Sequence, residues 1–145
     1  QEDDEKVFGI KADDTDVAGG KISHEGYVGV AGKLAERCGF KAVAITLRGS
    51  ISASVNNWAA MLFMDKQATF SSEYNIMIVD RIGGGDSFAA GLIYAMLEDY
   101  NARDTVNFAV AASCLKHSIE GDTNHVSVAE VQTLVKGDGS GRVQR

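Results

Sequence analysis

Residues Asp80-Arg81-Ile82-Gly83-Gly84-Gly85-Asp86-Ser87-Phe88 carry the clearest chemical signal in this chain of 145 residues. Three consecutive glycines leave their backbone N–H groups uncovered and let a ligand approach the main chain closely. If a helix begins there, its unpaired N–H groups and the positive end of its dipole favour an anion, typically a phosphate. Asp86 would stand beside that anion, where a carboxylate can take the proton of a hydroxyl. The same residues also read as an ordinary helix start, with Asp86 favoured only by the dipole. Both readings need a strand, a glycine turn and a helix in that order. Tyr74-Asn75-Ile76-Met77-Ile78-Val79, rich in β-branched and large apolar residues, predicts the strand. Ala89, Leu92, Ile93, Met96 and Leu97 recur at threes and fours and predict the buried face of a helix over Asp86–Tyr100.

A second candidate lies upstream. Ala42–Leu47 is a continuous apolar run, the pattern of a strand covered on both faces. Arg48-Gly49-Ser50 follows at its C-terminal end, where open α/β sheets bind ligands. Arg48 there could grip a phosphate or carboxylate with two prongs, or be a surface arginine on a turn.

The remaining elements must position these two stretches. Ser23 is placed to cap a helix reaching Cys38, with Tyr27, Val30, Ala31, Leu34, Ala35 and Cys38 on its apolar face. Its first residues, His24-Glu25, read as an exposed first turn. Trp58–Met64 and Gln67–Ser71 flank Asp65-Lys66, the pattern of a hairpin with a two-residue turn. Asp104–Ile119 predicts a second C-terminal helix, apolar almost all round from Phe108 to Leu115 and therefore buried between layers. Lys116, His117 and Glu120 crowd its end, where His117 reads as a residue complementing the dipole. Ser127 and Glu130 form a capping box for a last helix ending near Val135. Asp13-Asp14-Thr15-Asp16 is a polar connector without the spacing of a calcium loop. No repeat and no linker divides the chain, so residues 1–145 are expected to form a single α/β domain.

Composition excludes some classes. The net charge is −6 and no basic run occurs, which argues against nucleic acid and against an anionic membrane as partner. No apolar run approaches the roughly 20 residues of a membrane span. The N-terminus is acidic, unlike a signal peptide. Cys38 and Cys114 lack metal or redox spacing and are expected as buried thiols of a cytoplasmic protein.

Asp80–Asp86 resembles the second signature of the ribokinase-like (PfkB) carbohydrate kinases, D-T-x-G-A-G-D. It matches at Asp80, Gly83, Gly85 and Asp86, with Arg81 in the place of Thr and Gly84 in that of Ala. The form D-R-x-G-G-G-D-S-F is similar to the 2-dehydro-3-deoxygluconate kinase branch, as are V-A-I-T-L-R-G-S-I-S-A-S-V-N-N-W (Val43–Trp58) and the ending S-G-R-V-Q-R. The similarity runs from about Val7 to Arg145 and corresponds to the C-terminal half of the longer family chains. It implies the C-terminal half of a three-layer ribokinase-like α/β domain, with a mainly parallel sheet and a β-hairpin.

The resemblance also implies ATP-dependent phosphoryl transfer to a sugar acid such as 2-dehydro-3-deoxygluconate. Asp86 is then the base, the N–H groups of Gly83, Gly84 and Gly85 hold the transferring group, and Arg48 neutralises charge. The nucleotide is expected between the loop after Leu47, with Gly49 and Ser50, and the helix around Ala112, Ser113 and His117. Mg2+ accompanies ATP in this family, and many members hold a monovalent cation, K+, near the position of Asp80; Arg81 in place of Thr departs from that pattern. Most sugar-binding side chains lie in the family's N-terminal half, so transfer by this chain is expected to be impaired. Two alternatives stand beside it: a phosphate-ester hydrolase, with a metal recruited by spare Asp and His side chains, and a non-catalytic nucleotide- or phosphate-binding module. Family strands without a counterpart here imply an unpaired sheet edge, and so a homodimer or higher oligomer.

Overall fold

The turn Asp65-Lys66 fixes the first strand pairing. Both residues have positive φ, +52° and +62°, as a two-residue turn of the I′ type requires. The turn joins β2 (Val55–Met64) to β3 (Gln67–Phe70) in a computed structural model that describes residues 24–50 and 55–137. β1 (Ala42–Ser50) lies on the other side of β2. β4 (Tyr74–Met77) returns to β2 and pairs with it antiparallel, with Trp58 opposite Tyr74 and Val55 opposite Met77.

The α/β class and the hairpin hold; the parallel arrangement does not, because the sheet is mainly antiparallel. The connections explain why. A parallel crossover needs a dozen or more residues, whereas β2 reaches β3 through a two-residue turn. The expectation that Ala42–Leu47 is covered on both faces also fails. Ile45 is buried there, but Thr46 is exposed.

The described residues fall into two compact units. The first unit takes the residues up to Thr46 together with Met61–Thr69. Its helix α1 (His24–Cys38) buries Val30, Ala31 and Leu34, which belong to the expected face. The helix stops at Gly39, whose φ of +68° suits the left-handed position after a helix, and the Phe40 N–H closes back onto the Ala35 carbonyl at 3.1 Å. Ser23, the Asp13–Asp16 connector and the terminal S-G-R-V-Q-R lie outside the described residues.

The second unit takes Leu47–Ala60 and the residues from Phe70 onward. It contains α2 (Gly84–Leu97), α3 (Ala102–Lys116) and α4 (Val128–Lys136). Asn101 caps α3 by accepting the Asp104 N–H at 3.0 Å, and Ser127 with Glu130 forms the expected box on α4. α3 is the core helix: Val106 and every residue from Phe108 to Cys114 are buried, as its all-round apolar sequence predicts.

The expected buried face of α2 needs correction. Gly84, Ser87, Phe88, Gly91 and Ala95 face inward, while Ile93 is 58% and Leu97 78% exposed. α2 is apolar on most of its surface, so periodicity does not choose a face; close packing does. A Cβ on Gly91 would sit only 3.1 Å from the Ala109 Cα and the Ala112 Cβ, so small residues bring α2 and α3 together.

Candidate functional site

The glycine turn begins α2, as its sequence requires. Gly83 precedes the helix with φ +77° and ψ −2°, a left-handed conformation that glycine adopts at little cost. The Ser87 N–H bonds to the Gly83 carbonyl at 2.9 Å and starts the helical ladder. The helix starts at Gly84, two residues earlier than predicted, so Asp86 lies within its first turn, exposed to solvent. The first N–H groups of a helix have no acceptor within it. That of Gly84 turns back to the Arg81 carbonyl at 3.3 Å. Gly84 thus has an internal partner for its N–H, and a Cβ on Gly85 would meet nothing within 4 Å.

A buried network holds the turn from beneath. The Trp58 indole N–H donates to Ser113 Oγ at 3.1 Å, and Ser113 Oγ donates to the Gly84 carbonyl at 2.8 Å. His117 Nδ1 donates to the Ser113 carbonyl at 2.7 Å, and its ring lies 4.6 Å from the Trp58 ring. That ring explains Gly84. A Cβ at this position would lie 2.6 Å from His117 Cε1, so the imidazole occupies the space that the Ala methyl of the family pattern would need. The end of α3 ties in the strand side as well. The His117 carbonyl accepts the N–H groups of Val79 at 2.8 Å and Asp80 at 3.3 Å, which satisfies a helix-end carbonyl otherwise left without a partner.

Two loops thus lie side by side, Asp80–Gly83 and Ile119–Asp122. Asp80 Oδ1 accepts the Ile82 N–H at 3.0 Å and Oδ2 the Gly121 N–H at 2.9 Å. Those two N–H groups, first Ile82 and then Gly121, hold the Asp80 carboxyl below its usual range, and the Lys116 charge adds to them. A Cβ on Gly83 would overlap the Asp122 carbonyl oxygen. Arg81, in the place of the family's Thr, reaches β2 instead. The buried Asn56 amide, oriented to satisfy both its ends, accepts from Arg81 Nη1 at 3.2 Å and donates to the Val55 carbonyl at 2.9 Å.

His117 is not the dipole-complementing cation expected from its place in the sequence. It is buried, and burial, with the positive charges of Lys116, Arg81 and Arg48 adding, pushes its pKa below the usual 6.5, while its bond to the Ser113 carbonyl opposes the shift. The ring is therefore neutral at pH 7, with the proton on Nδ1. The unfolded chain takes up that proton more readily than the folded one, so this contribution to stability is complete above pH 6.5 and is lost as the pH falls below it. Urea unfolding is expected to show stability decreasing from pH 7.5 toward pH 5, on the scale of about 1.4 kcal/mol per pKa unit. His117→Gln is expected to flatten that slope; an unchanged slope would contradict the assignment.

The structure brings Gly83, Gly84, Gly85, Asp86, Ser113 and His117 together, with Arg48 close enough to weigh on the His117 charge. Arg48 and Gly49 correct one expectation: they continue β1, which runs to Ser50, rather than forming a loop after Leu47. Arg48 is exposed and Leu47 half-buried, and Gly49 packs on the Asn57 side chain. Ala112 is buried in the α2–α3 contact, and the Ser113 hydroxyl is engaged on both sides. Among the described residues, no group of three or more His, Cys, Asp and Glu could hold a metal ion, and no helix is long and apolar enough to cross a membrane.

Sequence reasoning missed Trp58 as a partner of the turn, and it placed Lys116 at the end of its helix without foreseeing its burial. The signal for Lys116 was its position, one helical turn beyond Ala112 and Ser113 on the buried face of α3. The signal for the Trp58–His117 pair was the middle glycine, Gly84, whose missing Cβ leaves room for the His117 ring.

A strand, a glycine turn in left-handed conformation and a helix carrying an exposed carboxylate on its first turn are the site that this α/β fold presents. Residues 14–128 match the family model of the pfkB family carbohydrate kinases, and the chain belongs to that family. It is similar to the crystal structure of 2-dehydro-3-deoxygluconokinase from Thermotoga maritima, with 46% identity and a TM-score of 0.86 over 94% of this chain and 40% of that one. The chain thus spans about two fifths of that relative's length. An uncharacterised sugar kinase of Escherichia coli strain K12, YeiI, is 39% identical over 56 residues, which are 39% of this chain and 15% of that protein. Phosphofructokinase-2 from Escherichia coli, solved in complex with potassium, shares the fold at 15% identity and a TM-score of 0.62, over 93% of this chain and 38% of that one.

Proposed function

We propose that this chain carries the nucleotide side of ATP-dependent phosphoryl transfer to a sugar acid such as 2-dehydro-3-deoxygluconate. The observation that supports this most strongly is the start of α2, where an exposed Asp86 follows a glycine turn braced by Ser113 and His117. Phosphoryl transfer asks the protein chiefly for positioning and for stabilisation of charge. Asp86 takes the proton of the acceptor hydroxyl. The N–H groups at Gly83, Gly84 and Gly85 face the transferring group, and Arg48 offsets its charge. The nucleotide lies along Leu47, Gly49 and Ser50 toward the end of α3 around Ala112, Ser113 and His117, which are buried and support the site from beneath rather than touching the ligand. Mg2+ arrives with ATP and neutralises phosphate charge. The setting is cytoplasmic, and the acidic chain has no nucleic acid or membrane as partner.

The test is one assay of ADP release from ATP, with and without 2-dehydro-3-deoxygluconate. Release only with the sugar acid is expected. Release without any acceptor would favour the hydrolase, and nucleotide binding with no release the binding module. In the family most sugar-binding side chains lie N-terminal to the matched region. Turnover of this chain alone is therefore expected below the usual kinase range of about 1–100 per second, since positioning contributes roughly 7–11 kcal/mol to such barriers.

The chain is also proposed to form a homodimer or higher oligomer. Met77 at 73%, Val79 at 57% and Ile82 at 62% exposure leave large apolar side chains in water along β4 and the turn after it. An interface of more than about 1,000 Å2 is expected. Light scattering at micromolar concentration checks this, and a monomer would contradict it.

A further inference from the structure

The family pattern implies a monovalent cation near Asp80, but the residues of this chain do not fit one. Both Asp80 oxygens already accept backbone N–H groups, from Ile82 and Gly121. The neighbouring Thr of the pattern is Arg81, itself a cation. A cationic side chain already stands between the two loops. Lys116 is fully buried, at 0% exposure, and its Nζ donates to the Ile119 carbonyl at 2.9 Å. Its Cε lies 3.2 Å from where a Cβ on Gly83 would be. Its charge is among the influences that keep the Asp80 carboxyl ionised.

An ammonium is buried only where oxygen acceptors and opposite charge compensate its lost hydration. A carbonyl oxygen facing a buried positive charge, with the field of a nearby carboxylate, is also what a hard monovalent cation seeks. Here the tether is α3, and the same two loops are stitched across it. Val79 and Asp80 donate to the His117 carbonyl, Gly121 donates to Asp80, and Gly83 packs against the Asp122 carbonyl.

We infer that the Lys116 ammonium is a built-in monovalent cation: fixed to the end of α3, it binds the Ile119 carbonyl and offsets Asp80 where a potassium ion would otherwise stand, and so holds the glycine turn without added salt. Lys116 is then a positioning residue that acts through the turn. The inference rests on the ribokinase-like reading of that turn but not on the proposed reaction.

The experiment is thermal unfolding of the chain in potassium, sodium and tetramethylammonium chloride at equal ionic strength, about 0.1 M. The three midpoints are expected to coincide. A midpoint that rises saturably with potassium and not with tetramethylammonium would overturn the inference. Lys116→Met is expected to melt several degrees lower and to recover part of the loss selectively in potassium. A folded Lys116→Met that melts like the parent, or ignores potassium, would also overturn it. If that variant does not fold in any salt, the 15N resonance of the Lys116 ammonium in the parent chain decides. Protons protected from exchange at neutral pH are expected, and exchange as fast as that of a surface lysine sinks the proposal. Neither readout depends on turnover, so failure of the phosphoryl-transfer reading leaves both intact.

Discussion

Asp86→Asn is expected to lower whatever phosphoryl transfer the chain supports by a factor of about 10² to 10⁴, the usual loss when a general base is removed, while leaving the fold intact. The asymmetry follows from where Asp86 sits. Its side chain is exposed on the first turn of α2. Removing its charge there costs the helix only about 0.3–1 kcal/mol of dipole interaction. The amide keeps the shape but cannot accept the hydroxyl proton. Circular dichroism and thermal melting of the variant should therefore match the parent within a few degrees, while ADP release falls. A folded variant that retains activity within a few-fold would reduce Asp86 to a residue that merely favours the helix start.

The second large effect is one of stability, and it separates two neighbouring glycines. Gly83→Ala puts a Cβ at φ +77° and into the Asp122 carbonyl oxygen. Strain of that backbone type costs roughly 1–3 kcal/mol, and the contact is with backbone, which cannot swing aside. Gly85→Ala meets nothing within 4 Å. Alanine there should be neutral or gain up to about 1 kcal/mol of helix propensity. Yet Gly85→Ala is expected to weaken phosphate or nucleotide binding, because its methyl stands where the ligand must approach. Urea midpoints and binding isotherms on both variants check the pair. Equal destabilisation, or unchanged affinity in Gly85→Ala, would contradict the division between a glycine kept for the fold and one kept for the ligand.

The parts of this fold that were legible in the sequence are those set by local chemistry. Asp65-Lys66 between two apolar runs, the box Ser127–Glu130, and the all-round apolar centre of α3 each dictate one local outcome, and each appears. The parts that were not legible are set by neighbours distant in sequence. An apolar run such as Ala42–Leu47 says that a strand could be covered, but strand direction is decided by the connections. α2 offers apolar residues on nearly every side, so Gly91 against Ala109 chose its buried face, not the spacing of Leu92, Ile93 and Met96. In the site, Asp86 and the glycines could be read from spacing. The brace of Trp58, Ser113 and His117 could not, because its members lie 55 residues apart and meet only when α3 passes beneath the turn. Lys116 looked like an ordinary basic end to a helix, and only its complete burial against Ile119 and Gly83 marks it out.

The central claim is that the start of α2 is the phosphate site of this chain, and it can be tested without any acceptor. Backbone amide resonances of the 15N-labelled chain should be followed during titration with ATP and Mg2+. The account predicts saturable shifts centred on Gly83, Gly84, Gly85 and Asp86, accompanied by His117, with Gly29 and Gly39 of α1 and its end unmoved. Shifts that saturate elsewhere while Gly83–Asp86 stay still would contradict it.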